Sequence, residues 1–209
     1  MIEKSEQEVS VMQKKCILAT NFILIYHRDK KYLYKEVNNN MKKEIQVFDY
    51  ANVIMNALKT GVLLTTKVDD KVNSMTISWG TLGIEWGVPI FTVFVRENRF
   101  TKQQLEKNPE FTINIPFGEF DKKILGICGT KSGHSIDKIK ELNLTLEAPN
   151  SVSVPAIKEL PLTLECRVVY KQKQDESEIT EENKNKCYPQ DVDSSFHGAN
   201  RDFHTAYYG

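Results

Sequence analysis

The sequence predicts a mainly β, α+β fold: a small closed β-barrel with short peripheral helices. Three observations predict it. Runs with strand chemistry outnumber runs with helical periodicity. The helical runs are short. Strands and helices do not alternate regularly, as a doubly wound parallel sheet requires. With 209 residues the chain is long enough for one domain with a substantial core. No internal repeat is present.

Residues 1–40 differ from the rest. They lack Gly and Pro and end in K-K-Y-L-Y-K-E-V-N-N-N. The segment is either an extension that adds a strand or helix to the domain, or an over-extended start or appended sequence, and the second reading is favoured. Met41 opens M-K-K-E-I-Q-V-F-D-Y and looks like a natural start, so the expected domain is 41–209.

Within it, A-N-V-I-M-N-A-L predicts a short helix over 49–58 with Asp49 as cap. Residues 61–67 read as a strand, turned at Asp69 and Asp70 into a second strand over 72–79. The run P-I-F-T-V-F-V from Pro89 is β-branched and aromatic and apolar on both faces, so it predicts a central strand ending at Arg96. Thr101 and Gln104 then have the spacing of a capping box, with Thr101 as N-cap, and Pro109 stops that helix. Phe111, Ile113 and Ile115 alternate with Thr112 and Asn114, a half-buried strand. Helices are expected over 121–128 and 135–142, the latter capped by Ser135 with Ile136 and Ile139 on one face, around the small-residue loop G-T-K-S-G (129–133). Alternation from Leu162 to Tyr170 predicts an amphipathic strand. The mixed charges of 171–186 predict a solvent-facing turn and helix.

Composition narrows the chemistry. Basic and acidic residues balance at 28 each, so no global field draws nucleic acid or an anionic membrane. Cys16, Cys128, Cys166 and Cys187 form no C-x-x-C pair and read as reduced thiols of a cytoplasmic protein. His27, His134, His197 and His204 include no H-x-x-x-H pair, so no catalytic metal is expected. The apolar stretch Cys16–Tyr26 is too short to span a bilayer, and no cleavage site follows it. Ser135 and Lys138 match S-x-x-K, but no S-D-N or K-T-G accompanies them.

One place gathers binding chemistry. Arg96 and Arg99 follow a strand, and Thr101 opens a helix directly after them. Two guanidiniums and a hydroxyl beside free N–H groups make a seat for a phosphate. The plainer reading, a solvated Arg pair and a simple cap, carries about equal weight.

N-S-M-T-I-S-W-G (73–80), W-G-V-P (86–89), R-E-N-R-F-T (96–101) and G-T-K-S-G (129–133) resemble the flavin reductase-like, FMN-binding split-barrel proteins, and the flavoredoxin-like branch in particular. The resemblance covers about 41–209. It implies a split barrel, a homodimer, and FMN near the subunit interface. The stretch of Asn73, Ser74, Met75, Thr76, Ser78 and Trp79 would run along the isoalloxazine, with Thr76 and Ser78 as side-chain contacts. Arg96, Arg99 and Thr101 would hold the ribityl phosphate. Lys131 and Ser132 would reach phosphate or flavin, across the interface if the loop extends there. His204 stands five residues before Gly209, similar to the family's late-strand His near flavin and nicotinamide; a surface His on a strand edge is the equal alternative. Homologues continue past that Gly, so the late strand is expected to expose an edge. Trp79 and Trp86 read chiefly as packing residues, with a place beside the flavin as the alternative.

The implied activity is NAD(P)H-dependent reduction of flavin, with NADH or NADPH as donor. The alternatives are a flavoredoxin-type electron carrier with tightly bound FMN and a protein redox partner, or a flavin-binding module without turnover.

Overall fold

The computed structural model describes residues 42–209 and the backbone of three strands before them. Those strands are β1 (Cys16–Leu18), β2 (Phe22–Tyr26) and β3 (Tyr32–Glu36). β2 and β3 pair with each other, and β1 pairs antiparallel with residues 43–45 and 162–164. The remaining expectations for the first 41 residues lie outside the described residues.

The chain continues through β4 (Lys43–Ile45), a 3-10 turn (Val47–Tyr50), α1 (Ala51–Thr60), β5 (Val62–Val68), β6 (Lys71–Ile77), β7 (Gly80–Glu85) and β8 (Val88–Arg96). α2 (Phe100–Lys107), β9 (Glu110–Ile115), α3 (Lys123–Thr130) and α4 (Lys138–Glu141) follow. The last part holds β10 (Leu146–Glu147), β11 (Ala156–Ile157), β12 (Leu162–Arg167), β13 (Tyr170–Lys173), a 3-10 turn (Glu176–Glu178), α5 (Glu181–Cys187) and β14 (His204–Tyr208). The fold is mainly β with antiparallel sheets and short helices, as the sequence predicts.

The hydrogen-bond ladders form two sheets rather than one closed ring. One has the order β4-β1-β12-β9-β5-β6, the other β13-β14-β8-β7. Among the described residues no ladder joins them. The chain joins them instead, at two corners. Between β6 and β7 it passes from the first sheet to the second through Ser78 and Trp79. Between β12 and β13, Val168 N–H donates to Pro109 O at 2.8 Å on one sheet, and Val169 N–H donates to Tyr208 O at 2.8 Å on the other.

The main core lies between the sheets. Val62, Leu64, Ile113, Ile115 and Leu164 meet Phe91, Val93, Val95 and Tyr207, with Ile54 and Leu58 of α1 and Leu105 of α2 closing the ends. Each such side chain contributes roughly 1.5–3 kcal/mol by leaving water. The six-stranded sheet is also covered on its other face, where Leu63 packs with Ile124, Cys128, Ile157 and Leu160. That second cover explains why β9 and β12 are buried on both faces, save Glu110 and Arg167 at their ends, and not half-buried. The polar residues on the covered face bond one another. Asn114 Nδ2 donates to Thr65 Oγ1 (3.0 Å) and Thr112 Oγ1 (3.1 Å), while Asn114 Oδ1 accepts from Ile157 N–H (2.8 Å).

Several local expectations shift. α1 has no side-chain cap from Asp49; its N-cap position is Tyr50. The cap of α4 is Asp137, whose carboxylate accepts from Lys140 N–H, not Ser135. β14 lies between β8 and β13, so the late strand is internal and not an edge. Strand β7 was not expected, because G-T-L-G-I-E has two glycines and little alternation. Its turn into β8 is the two-residue Trp86-Gly87, with φ of 51° and 72°, the left-handed pair that suits the twist of a hairpin.

Candidate functional site

Two neighbouring cavities lie beside β6, with Met75, Thr76, Arg99 and His197 in the walls of both. The larger, about 630 Å³, is bounded by Asn73, the start of α2, the 128–136 loop and Lys138. The smaller, about 370 Å³, is bounded by Ser78, Trp79, Phe94, Arg96, Cys187 and His204.

Nearly all the residues singled out in the sequence converge here. Asn73, Met75, Thr76, Arg99, Thr101, Lys131 and Ser132 line the larger cavity. Ser78, Trp79, Arg96 and His204 line the smaller. Ser74 lines neither: it is fully buried, and its hydroxyl pairs with Thr65 Oγ1 at 2.7 Å on the opposite face of β6. Trp79 and Trp86 are 42% and 59% exposed, so neither is a core residue.

Thr101 sits inside α2, not at its cap. The N-cap position is Arg99, and no side chain caps the helix. Thr101 Oγ1 instead accepts from Asn73 Nδ2 at 3.0 Å. Gln104, the expected partner in the capping box, accepts from Thr66 Oγ1 (2.6 Å) and donates to Lys71 O (2.8 Å). The tertiary partners outcompete the local cap because all of these groups are buried and must be satisfied.

The two arginines grip the segment that follows α5. Arg96 donates to the carbonyls of Asn200 (3.2 Å), Cys187 (3.0 Å) and Asp202. Arg99 donates to Phe196 O (2.8 Å) and Ser194 O (3.5 Å). Arg96 therefore spends three of its donors on backbone, whereas Arg99 keeps more of its five N–H groups for a ligand. Burial lowers both pKa values, and for Arg99 the charge of Arg96 adds to it; both stay charged at neutral pH.

Lys138 completes the cationic end and escaped notice in the sequence, where S-x-x-K pointed to an unrelated chemistry. It is 4% exposed and lines the larger cavity. Its Nζ donates to Ser74 O (2.7 Å) and Cys128 O (3.4 Å), leaving one N–H without an acceptor among the described residues. Burial lowers its pKa, opposed by Cys128 and assisted by Arg99. The usable signal was its place one residue after the Asp137 cap, directly behind the glycine loop. Among the described residues no carboxylate lines either cavity, although acidic and basic residues balance over the chain. The charged lining of the two cavities is thus cationic in a chain with no net charge, although Asp202 lies close enough to act on both arginines.

His204 is buried in β14, opposite Arg96 of β8. Its ring centroid lies 5.0 Å from that of Trp79, inclined at 38°. Burial, then Arg96 and Arg99, pushes its pKa down to about 3, so the imidazole is neutral at physiological pH. Among the described residues no cluster of His, Cys, Asp or Glu is arranged to hold a metal, and no helix is long and apolar enough to cross a membrane.

The chain is similar to several known proteins. An uncharacterized protein of Archaeoglobus fulgidus is 34% identical over 100 residues, covering 48% of this chain and 55% of the relative. The chain thus spans about half the length of the curated relative it matches. Flavoredoxin from Methanosarcina acetivorans superposes with a TM-score of 0.51 at 24% identity, over 71% of this chain and 63% of that one. Nitrilotriacetate monooxygenase component B from Bacillus cereus superposes with a TM-score of 0.53 at 14% identity, over 91% and 79%. At these identities the two structures show a shared fold. The family model described as flavin reductase like domain matches residues 55–181, more than half of the chain. The chain belongs to the flavin reductase-like domain family.

Proposed function

We propose that this protein binds FMN and moves hydride from NADH or NADPH to the flavin. The observation that carries the reading is the larger cavity, where Arg99, Lys131 and Lys138 stand together and no carboxylate lines the wall among the described residues. Its volume falls in the range of about 300–1,000 Å³ usual for small-molecule sites. The donor set fits a phosphate monoester: Arg99 and Lys138 supply charge, and Thr101 and Ser132 supply hydroxyls. Met75 and Thr76 of β6, the strand that borders both cavities, and Ser78 just after it would hold the isoalloxazine, and Asn73 supports the phosphate end through Thr101. Ser74 contributes backbone only.

Bound flavin supplies the redox chemistry. The chain's own residues bind and orient. Trp79, Phe94 and His204 give the smaller cavity the aromatic walls suited to a nicotinamide ring. His204 is neutral there and is not an acid at neutral pH, so its part in hydride transfer is positioning. Ile84, Trp86, Val169 and Tyr170 are exposed, and Trp86 meets Tyr170 edge-on at 6.3 Å. This apolar surface supports a homodimer, testable by sedimentation.

The test is spectroscopic. The purified protein is loaded with FMN, and its visible absorbance is followed during anaerobic addition of NADH or NADPH. Bleaching at a catalytic rate supports the reductase. A flavin spectrum that only dithionite bleaches identifies an electron carrier instead. Absence of flavin binding after FMN is supplied overturns both.

A further inference from the structure

The hydrogen bonds around His204 fix which of its nitrogens carries the proton. The backbone N–H of His204 can only donate, and it lies 3.0 Å from an amide atom of Gln174, which must therefore be Oε1. Tyr188 OH lies 2.9 Å from the same oxygen. Two oxygens at that distance need a proton between them, and only the tyrosine has one, so Tyr188 donates to Gln174. The Tyr188 oxygen is also 3.0 Å from His204 Nδ1. With its own proton spent, Tyr188 can only accept there, and Nδ1 must carry the hydrogen. Nε2 is left as a lone pair with no partner among the described residues, on a ring that lines the smaller cavity.

Each member of this relay is itself held. Gln174 N–H donates to His204 O at 2.9 Å, extending the β13–β14 ladder by one rung. Tyr188 is 4% exposed, stacked on Phe203 with centroids 4.7 Å apart, and covered by the Arg96 guanidinium 5.1 Å from its ring centre. We infer that Tyr188 and Gln174 are positioning residues that lock His204 in its Nδ1–H form, and that Nε2 is thereby presented as an acceptor to a ligand bearing an amide or ring N–H in the smaller cavity. The low pKa of His204 agrees, because a protonated imidazole would have no acceptor to offer.

The first test needs no flavin. Nitrogen-15 NMR of His204 in the flavin-free protein at pH 7, assigned with H204Q, should show the proton on Nδ1. Gln174→Leu frees the Tyr188 proton to turn toward Nδ1, so the His204 hydrogen should move to Nε2. A wild-type His204 protonated at Nε2, or a Q174L protein with an unchanged tautomer, overturns the inference. The second test rests on the function proposed above. The reduced 3-acetylpyridine analogue of NADH replaces the amide N–H₂ with a methyl group. The FMN-loaded wild type should discriminate against it in KM by about tenfold relative to the discrimination shown by Q174L, the scale of one lost hydrogen bond. Equal discrimination by the two proteins refutes an N–H-bearing nicotinamide as the ligand. Failure to bind FMN at all would overturn the function while leaving the NMR result to decide the tautomer.

Discussion

Asn73 Nδ2 donates to Thr101 Oγ1 across 3.0 Å, and this bond ties strand β6 to helix α2 within the wall of the larger cavity. Both residues are almost fully buried, at 4% and 1% exposure. Thr101→Val keeps the shape and removes the acceptor, leaving a buried amide donor unpaired. The expected cost is about 1–3 kcal/mol in urea unfolding, with Thr101→Ser close to wild type. Equal losses for valine and serine would show that the methyl group matters and the hydroxyl does not.

Lys138 is expected to recognise the phosphate of FMN. Lys138→Met should weaken FMN by at least about tenfold, the loss of one charge-assisted hydrogen bond, and leave riboflavin nearly unchanged. Arg99→Ala should act in the same direction. Isothermal titration with both ligands checks it, and parallel losses for FMN and riboflavin would remove these side chains from the phosphate site.

Gly133 closes the loop against β6 and α2. A Cβ at this position would lie 2.3 Å from Asn73 Oδ1 and 2.6 Å from Phe100 Cδ1. Gly133→Ala must displace the loop or break the Asn73–Thr101 bond. It should cost about 1–3 kcal/mol and weaken FMN through Lys131 and Ser132. Thermal unfolding and FMN titration together test this; an alanine variant matching wild type in both would mean that the loop yields freely.

The chain has two tryptophans, and the structure separates them. Trp79 borders the smaller cavity, while Trp86 packs against Tyr170 outside both. In Trp86→Phe the fluorescence of the remaining Trp79 should be strongly quenched by FMN. In Trp79→Phe it should change little. The reverse pattern would move the flavin to the other side of the four-stranded sheet.

Acid should destabilise the protein through His204. Its folded pKa is about 3 against an ordinary value of 6.5. Below pH 6.5 the unfolded chain takes up a proton that the native state refuses. Stability is therefore complete above that pH and falls as pH drops toward 3, by at most about 1.4 kcal/mol per pH unit from this group. His204→Gln should flatten that limb in a difference curve against wild type. Glu106 adds a separate, more acidic limb. Hydrogen bonds from Lys171 and Tyr207 hold its pKa at about 2, so its contribution fades as pH falls from 4.5 toward 2. Parallel curves for wild type and H204Q above pH 5 would refute the assignment to His204.

Much of the fold was legible because strand chemistry is local. The β8 run and the 162–167 run showed themselves by β-branched and apolar residues alone. What was not legible depended on what covers a strand. The threonine and asparagine of β9 read as a solvent face, yet they lie beneath the 151–157 segment, where Thr112 Oγ1 donates to Pro155 O at 2.9 Å. The corner at Val168 and Val169 was hidden because alternation continues through it. Arg99, Thr101, Thr76 and Lys131, which residue type and resemblance single out, line the larger cavity. Ser74 belongs to the same stretch only by contiguity, since a strand turns every second side chain away. Lys138 and Tyr188 are not legible because one lies behind a helix cap and the other beside a remote strand; only tertiary folding brings Lys138 to the larger cavity and Tyr188 to His204.

The hydrogen bonds from the side chains of Arg96 and Arg99 to residues 187–202 all fall on main-chain carbonyls. Every amino acid carries that carbonyl. The wall made by His197, Gly198 and Ala199 can therefore exchange its side chains while the anchor that holds it stays intact. The side chains that a molecule in the smaller cavity would meet are thus separate from the bonds that hold the wall in place, and they can change while the cationic end of the larger cavity keeps its form.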